Sequence, residues 1–167
     1  MRALFTSALA ILSAAALSAQ APAPVRNDTM HLTVHTAINT TDIAAGKKVT
    51  LTFDVAPKRD MHVYAPGKHD YQVIAVKIDP QPWLKAAPTS YPPSEIYHFK
   101  ELDEKVETYS KPFTLVQDVA ILNTADAKKA LAASPVKLTG RLEYQACDDK
   151  VCYAPTKIPV SFVLNAK

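Results

Sequence analysis

Apolar and polar residues alternate through most of this chain, and the alternation predicts strands. Met30, Leu32, Val34, Thr36 and Ile38 alternate with His31, Thr33, His35 and Ala37, a period of two that turns one face to a core. His31 and His35 fall on the polar face of that strand, where solvated histidines are common. After a polar turn around Gly46, Val49, Leu51, Phe53 and Val55 alternate with Thr50, Thr52 and Asp54, and Pro57 ends the run. Shorter strands are predicted at Met61 to Ala65, stopped by Pro66-Gly67, and at Val73 to Ile78. Pro80 to Pro93 holds five prolines and Trp83, so it reads as an ordered, irregular connection, not a helix or a central strand. Glu95 to Tyr109 is charged and aromatic and predicts a loop with an edge strand. Phe113 to Leu122 is a further strand whose parity falters at Gln117-Asp118, where a bulge would account for the switch. One helix is expected between Thr124 and Ser134, with Thr124 as its cap, Asp126 in its first turn and Pro135 as its stop. Alternating strands from Val136 to Ala146 and from Lys157 to Leu164 complete the chain. Seven or eight short strands with one minor helix predict an all-β sandwich.

The N-terminus departs from this pattern. Arg2 precedes an Ala- and Leu-rich apolar run from Ala3 to Leu17, and Ser18, Ala19 and Ala21 suit a signal peptidase, so residues 1–21 are expected to be a secretory signal peptide. The run is too short and too rich in alanine for a membrane span, and no other stretch approaches one. Residues 22–29 read as a flexible lead-in, and residues 30–167 as one domain. The expected location is the periplasm, with no membrane span left after signal removal. The formal net charge of +3 falls to +2 once Arg2 is removed, and no basic run appears, which argues against nucleic acid as a partner.

The chain has two cysteines, in the stretch Tyr144-Gln145-Ala146-Cys147-Asp148-Asp149-Lys150-Val151-Cys152-Tyr153-Ala154-Pro155. Strand patterns run into and out of this stretch, so the sulfurs flank one hairpin turn. Cross-strand Cβ atoms lie ~4.5–5.5 Å apart and a disulfide needs ~3.5–4.5 Å, so a bridge is feasible with slight adjustment. Two readings follow. A structural staple over so short a loop stabilises by only ~2 kcal/mol. A redox pair held by a local hairpin can open and close without unfolding the domain. Asp148 and Asp149 beside the pair raise cysteine pKa values and Lys150 opposes them, so local charge does not advertise an acidic thiol. The cysteines with His62 or His98 have permissible zinc spacing, and Met30, His31, Met61, His62 and His69 have copper-ligand chemistry, but no paired His spacing repeats, and no metal site is expected. With three glycines in all, phosphate cradles are excluded, and neither a Ser nucleophile elbow nor paired catalytic carboxylates appear; no cofactor is expected. The cysteines also differ in placement from those of antibody domains, which bridge two sheets with a Trp between them in sequence; here Trp83 precedes both.

The cysteine stretch resembles the motif of the N-terminal domain of DsbD, the bacterial thiol:disulfide interchange protein, with its Tyr-Gln-x-Cys lead, an acidic residue after the first cysteine, and a second cysteine followed closely by Pro. His62-Val63-Tyr64-Ala65-Pro66-Gly67 resembles the early His-x-Tyr strand of that domain, and Tyr91-Pro92-Pro93 and Lys105 to Val119 follow in the expected order. The resemblance runs from about Met30 to Leu164. It implies an immunoglobulin-like β-sandwich whose Cys147/Cys152 pair relays reducing equivalents in the periplasm by thiol–disulfide exchange, an oxidoreductase of the protein-disulfide reductase type. Its implied partners are thioredoxin-fold periplasmic proteins and a separate membrane electron donor. Cys152 would form the mixed disulfide and Cys147 would resolve it. A cap from Ile96 to Leu102 would shield the pair, with Phe99 and then Tyr97 as covering rings and Tyr64 near the sulfurs. Tyr144 falls on the opposite face from Cys147 by strand parity. The chain departs from the family in a shorter cysteine loop, in Ala154-Pro155 where Pro-Pro is frequent, and in carrying neither a spanning nor a thioredoxin domain, which leaves the direction of electron flow open. The other reading is an immunoglobulin-like binding module with a purely structural hairpin disulfide.

Overall fold

The computed structural model of the protein describes residues 22–100 and 103–167, so the expected signal peptide and residues 101–102 of the expected cap lie outside the described residues. Thirteen strands and one helix follow in order: β1 (Val25–Asp28), β2 (Leu32–Ile38), β3 (Asp42–Ile43), β4 (Lys48–Pro57), β5 (His62–Tyr64), β6 (Ala75–Ile78), β7 (Leu84–Ala86), β8 (Glu95–Phe99), β9 (Glu104–Tyr109), β10 (Phe113–Ile121), α1 (Ala125–Ala132), β11 (Val136–Tyr144), β12 (Ala146–Cys147) and β13 (Thr156–Ala166). They form three sheets, ordered β1-β2-β4-β10-β7, β3-β13-β11-β6 and β12-β5-β9-β8.

The first two sheets make the sandwich. Leu32, Val34, Leu51, Phe53, Leu115 and Val119 from one sheet share a buried cluster with Val76, Leu138, Leu142, Ile158, Phe162 and Leu164 from the other. Each comes from a period-two pattern, and burying a Leu- or Phe-sized side chain contributes about 1.5–3 kcal/mol. The β11–β13 hairpin is the longest pairing, from Val136 opposite Leu164 to Tyr144 opposite Thr156. Thr124 caps α1 by accepting from the Ala127 amide at 3.2 Å, with Asp126 in the first turn.

Several local expectations are corrected. The lead-in 22–29 contains β1, which pairs antiparallel with β2. The proline-rich connection contains β7, paired with β10, and a bridge between Ser90 and Val116; the prolines flank these pairings and leave their amides free to bond. β10 has no bulge. Its register against β4 is continuous from Phe113–Val55 to Ala120–Lys48, and Gln117 simply lies on the buried face, where its Nε2 donates to the Ala87 carbonyl at 2.7 Å. Glu95 to Tyr109 is a two-stranded hairpin instead of a loop and one edge strand. His31 is buried, not solvated, because Tyr153 packs on its ring with centroids 4.5 Å apart.

The third sheet packs Val63, Tyr109 and Ala146 into the same core cluster and carries Cys147, with Cys152 bridged to it. β11 ends at Tyr144, and after Gln145 the chain leaves β13 to pair Ala146 with Val63 and Cys147 with His62 on β5. Tyr64, Val106 and Cys147 form their own buried cluster, with Tyr71, Tyr97 and Phe99 packed against it.

Candidate functional site

Cys147 and Cys152 are joined by a disulfide with Cα atoms 4.2 Å apart. The two ends of the bond differ. Cys147 is fully buried on β12, whereas Cys152 is exposed on the far side of the turn. Cys152, Tyr71, Phe99 and residues 148–151 line an open groove of about 460 Å³.

β5 places Tyr64 under the bond. Its hydroxyl lies 3.0 Å from Cys147 Sγ and 3.3 Å from Cys152 Sγ. The Tyr64 ring stacks on Tyr71 at 4.2 Å, and Tyr71 donates to Glu104 Oε2 at 2.8 Å. Burial, followed by the neighbouring Tyr71, Glu104 and Tyr97 charges, pushes the Tyr64 hydroxyl well above the ordinary tyrosine range, so it remains a donor.

The β8–β9 hairpin brings Tyr97 and Phe99 to the same cluster. Tyr97 stacks on His62 at 4.4 Å and donates to Asp149 Oδ1 at 2.6 Å, tying β8 to the cysteine turn. Phe99 meets Tyr97 edge-on at 4.7 Å and lines the groove beside Cys152. The expected site residues Cys147, Cys152, Tyr64, Tyr97 and Phe99 are therefore brought together. The rings of Tyr97 and Phe99 pack around the Cys147 side, and the Cys152 side stays open. Tyr144 points elsewhere: it is buried in the main core, with its hydroxyl 3.0 Å from Thr29 Oγ1.

Tyr71 joins the site without being singled out by the pattern of the chain, and His62 and Asp148 take roles there other than the metal ligation and the charge effect considered from the sequence. Tyr71 completes the aromatic stack, and nothing in its local sequence marks it. His62 is buried directly across from Cys147; burial pushes its pKa below the ordinary value, against the opposing pull of Asp149 and then Asp148. Asp148 turns its carboxylate into the turn, accepting from the Lys150 amide at 2.8 Å, the Val151 amide at 2.7 Å and the Tyr153 hydroxyl at 2.9 Å. These three bonds, in that order, hold its carboxyl below the usual range. An Asp opening a short turn is the signal that could have found it, since its side chain mimics a backbone acceptor two and three residues on. Among the described residues no three His, Cys, Asp or Glu side chains gather into a metal-binding group, and no helix is long and apolar enough to cross a membrane.

Residues 28–163 match the family model of the N-terminal domain of the thiol:disulfide interchange protein DsbD. Among solved structures, the crystal structure of the N-terminal periplasmic domain of ScsB from Proteus mirabilis aligns with a TM-score of 0.58 at 14% identity, over 81% of this chain and 47% of that one. This chain thus spans about half the length of that relative. The yeast GGA1 GAE domain aligns with a TM-score of 0.43 at 9% identity, over 84% of this chain and 97% of that one. No curated protein matches the sequence significantly. The fold is an all-β, immunoglobulin-like sandwich with one short helix. A match over most of the chain, with the cysteine pair bridged on the third sheet, identifies the protein as a member of the DsbD N-terminal domain family, a domain of the thiol–disulfide exchange type.

Proposed function

We propose that the protein relays reducing equivalents through the Cys147–Cys152 disulfide, to or from thioredoxin-fold proteins in the periplasm, by thiol–disulfide exchange. The observation that carries this reading is the asymmetry of the bond. Cys152 faces an open groove, and Cys147 is buried against a hydroxyl donor. A staple has no use for that difference; exchange does, because one sulfur must be attacked and the other must leave.

The chemistry balances as follows. A donor thiolate attacks Cys152 Sγ, the Cys147–Cys152 bond breaks, and Cys147 leaves as a thiolate that Tyr64 stabilises before it takes up a proton. The second donor thiolate then attacks the donor sulfur of the mixed disulfide and releases Cys152. The donor leaves as a disulfide, and the domain holds two electrons as a dithiol. Transfer onward reverses these steps: Cys152 attacks the acceptor disulfide and Cys147 resolves the intermediate. Phe99 and Tyr97 shield the Cys147 side from solvent thiols, so access to the pair runs through the groove beside Cys152.

The reduction potential of the pair tests the reading, by equilibration with glutathione or dithiothreitol buffers. A value between about −180 and −270 mV is expected, within the range of working redox proteins. A value well below about −300 mV would mean a bond that resists exchange, and the domain would then be a binding module with a structural disulfide.

A further inference from the structure

The turn between the cysteines is fastened by bonds that do not involve sulfur. The Asp148 amide donates to the Val151 carbonyl at 3.0 Å, and the Asp148 carboxylate takes the amides of Lys150 and Val151 on one oxygen and the Tyr153 hydroxyl on the other. Tyr153 is itself anchored. Its amide donates to the Ala146 carbonyl at 2.9 Å, its carbonyl accepts from Gln145 Nε2 at 3.1 Å, and its ring lies against the buried His31. Gln145 Oε1 in turn accepts from the Gln72 amide at 3.2 Å. None of these contacts uses a cysteine sulfur.

We infer that Asp148 is a positioning residue that holds Cys147 and Cys152 together in the dithiol state and thereby sets the redox equilibrium of the pair. This rests on the exchange function proposed above. Forming a disulfide costs the entropy of bringing its two ends together. Where the turn is already closed before the bond forms, that cost has been met by the Asp148 contacts, and the thiols face each other at high effective concentration. Removing the clamp frees the dithiol more than the disulfide, because the disulfide still closes the loop. The pair then becomes easier to reduce and harder to reoxidise.

The readout is the equilibrium between the full-length protein and glutathione, in which the dithiol gives two electrons and two protons to one glutathione disulfide and yields two glutathione thiols. Asp148→Ala is expected to lower the constant for disulfide formation about tenfold, equivalent to about 30 mV toward easier reduction. Asp148→Asn keeps an oxygen for the two amides that close the turn, removes the charge and offers the Tyr153 hydroxyl a donor in place of its acceptor; with both amide bonds kept, its constant is expected to stay within about twofold of the native one. A constant unchanged in Asp148→Ala overturns the inference. So does an equal shift in both variants, which would make the charge, not the clamp, responsible. If Asp148→Ala does not fold, amide exchange in the reduced native protein decides: slow exchange at Lys150 and Val151 supports the clamp, and exchange at unstructured rates overturns it. The proposed relay fails separately, by a native pair too reducing to equilibrate with glutathione, while the ratio between variants, read in dithiothreitol buffers, still tests Asp148.

Discussion

Replacing Tyr64 by Phe isolates the hydroxyl beneath the disulfide. Phe keeps the ring that stacks on Tyr71 at 4.2 Å and deletes only the oxygen, which lies 3.0 and 3.3 Å from the two sulfurs. Tyr64 is fully buried, so no bulk water replaces that donor. A hydrogen bond to a charged partner contributes about 1.5–3 kcal/mol. If that bond forms to the Cys147 thiolate, its loss lowers the thiolate population roughly ten- to 150-fold at a given pH, since about 1.4 kcal/mol is a factor of ten. The Cys147 pKa should accordingly rise by about one to two units. The assay is the pH dependence of thiolate absorbance and of alkylation in the reduced protein, together with the rate at which a small dithiol reduces the oxidised form. Tyr71→Phe serves as the control, because it loses the bond to Glu104 and leaves the sulfurs their donor. Thiol titrations and reduction rates that coincide for the native protein and Tyr64→Phe would refute the reasoning, and the Tyr64 hydroxyl would then be a packing feature only.

Phe99→Ala uncovers the Cys147 side and should speed alkylation of the reduced pair; an unchanged rate would remove Phe99 from the shield. Gly140→Ala places a Cβ 2.5 Å from the Lys77 carbonyl oxygen where β11 meets β6, and the resulting strain should cost about 1–3 kcal/mol, a Tm loss of several degrees by calorimetry, with the reduction potential unmoved. Stability should fall on acidification. Burial holds His62 below its ordinary value of 6.5, so below that pH the unfolded chain binds more protons than the native one, and stability present above it is lost as pH falls through the folded pKa. His31, depressed first by burial and then by Lys58, acts in the same direction. Urea midpoints measured across this range should drop toward acid, and His62→Phe should flatten the slope; an equally steep slope in the variant would assign the effect to other groups. Thr124→Ala should cost about 1 kcal/mol through loss of the α1 cap, read as a shifted urea midpoint without a changed m-value.

What the sequence determined by itself is whatever depends on neighbours along the chain. The alternation of Val49, Leu51, Phe53 and Val55, and of Leu138 and Leu142 with their polar neighbours, specifies strands with one buried face, because the side-chain period of a strand is two whatever it pairs with. Thr124, Asp126 and Pro135 mark the helix for the same local reason, and the spacing of Cys147 and Cys152 confines the pair to one turn. What only the tertiary structure decided is which strand meets which. Leaving β13 for β5 after Gln145 puts Cys147 opposite His62 and over Tyr64, far away in sequence. The same non-local pairing buries Gln117 without a bulge, covers His31 with Tyr153, and draws β7 out of a proline-rich stretch. Local propensity is too weak to oppose contacts of this kind, because burial and hydrogen-bond pairing across distant strands outweigh the tenths of a kcal/mol by which a residue prefers loop or strand. The difference between the two sulfurs, on which the exchange reading rests, is of this second sort: it comes from what packs on each side of the turn, and the spacing of two cysteines carries no trace of it.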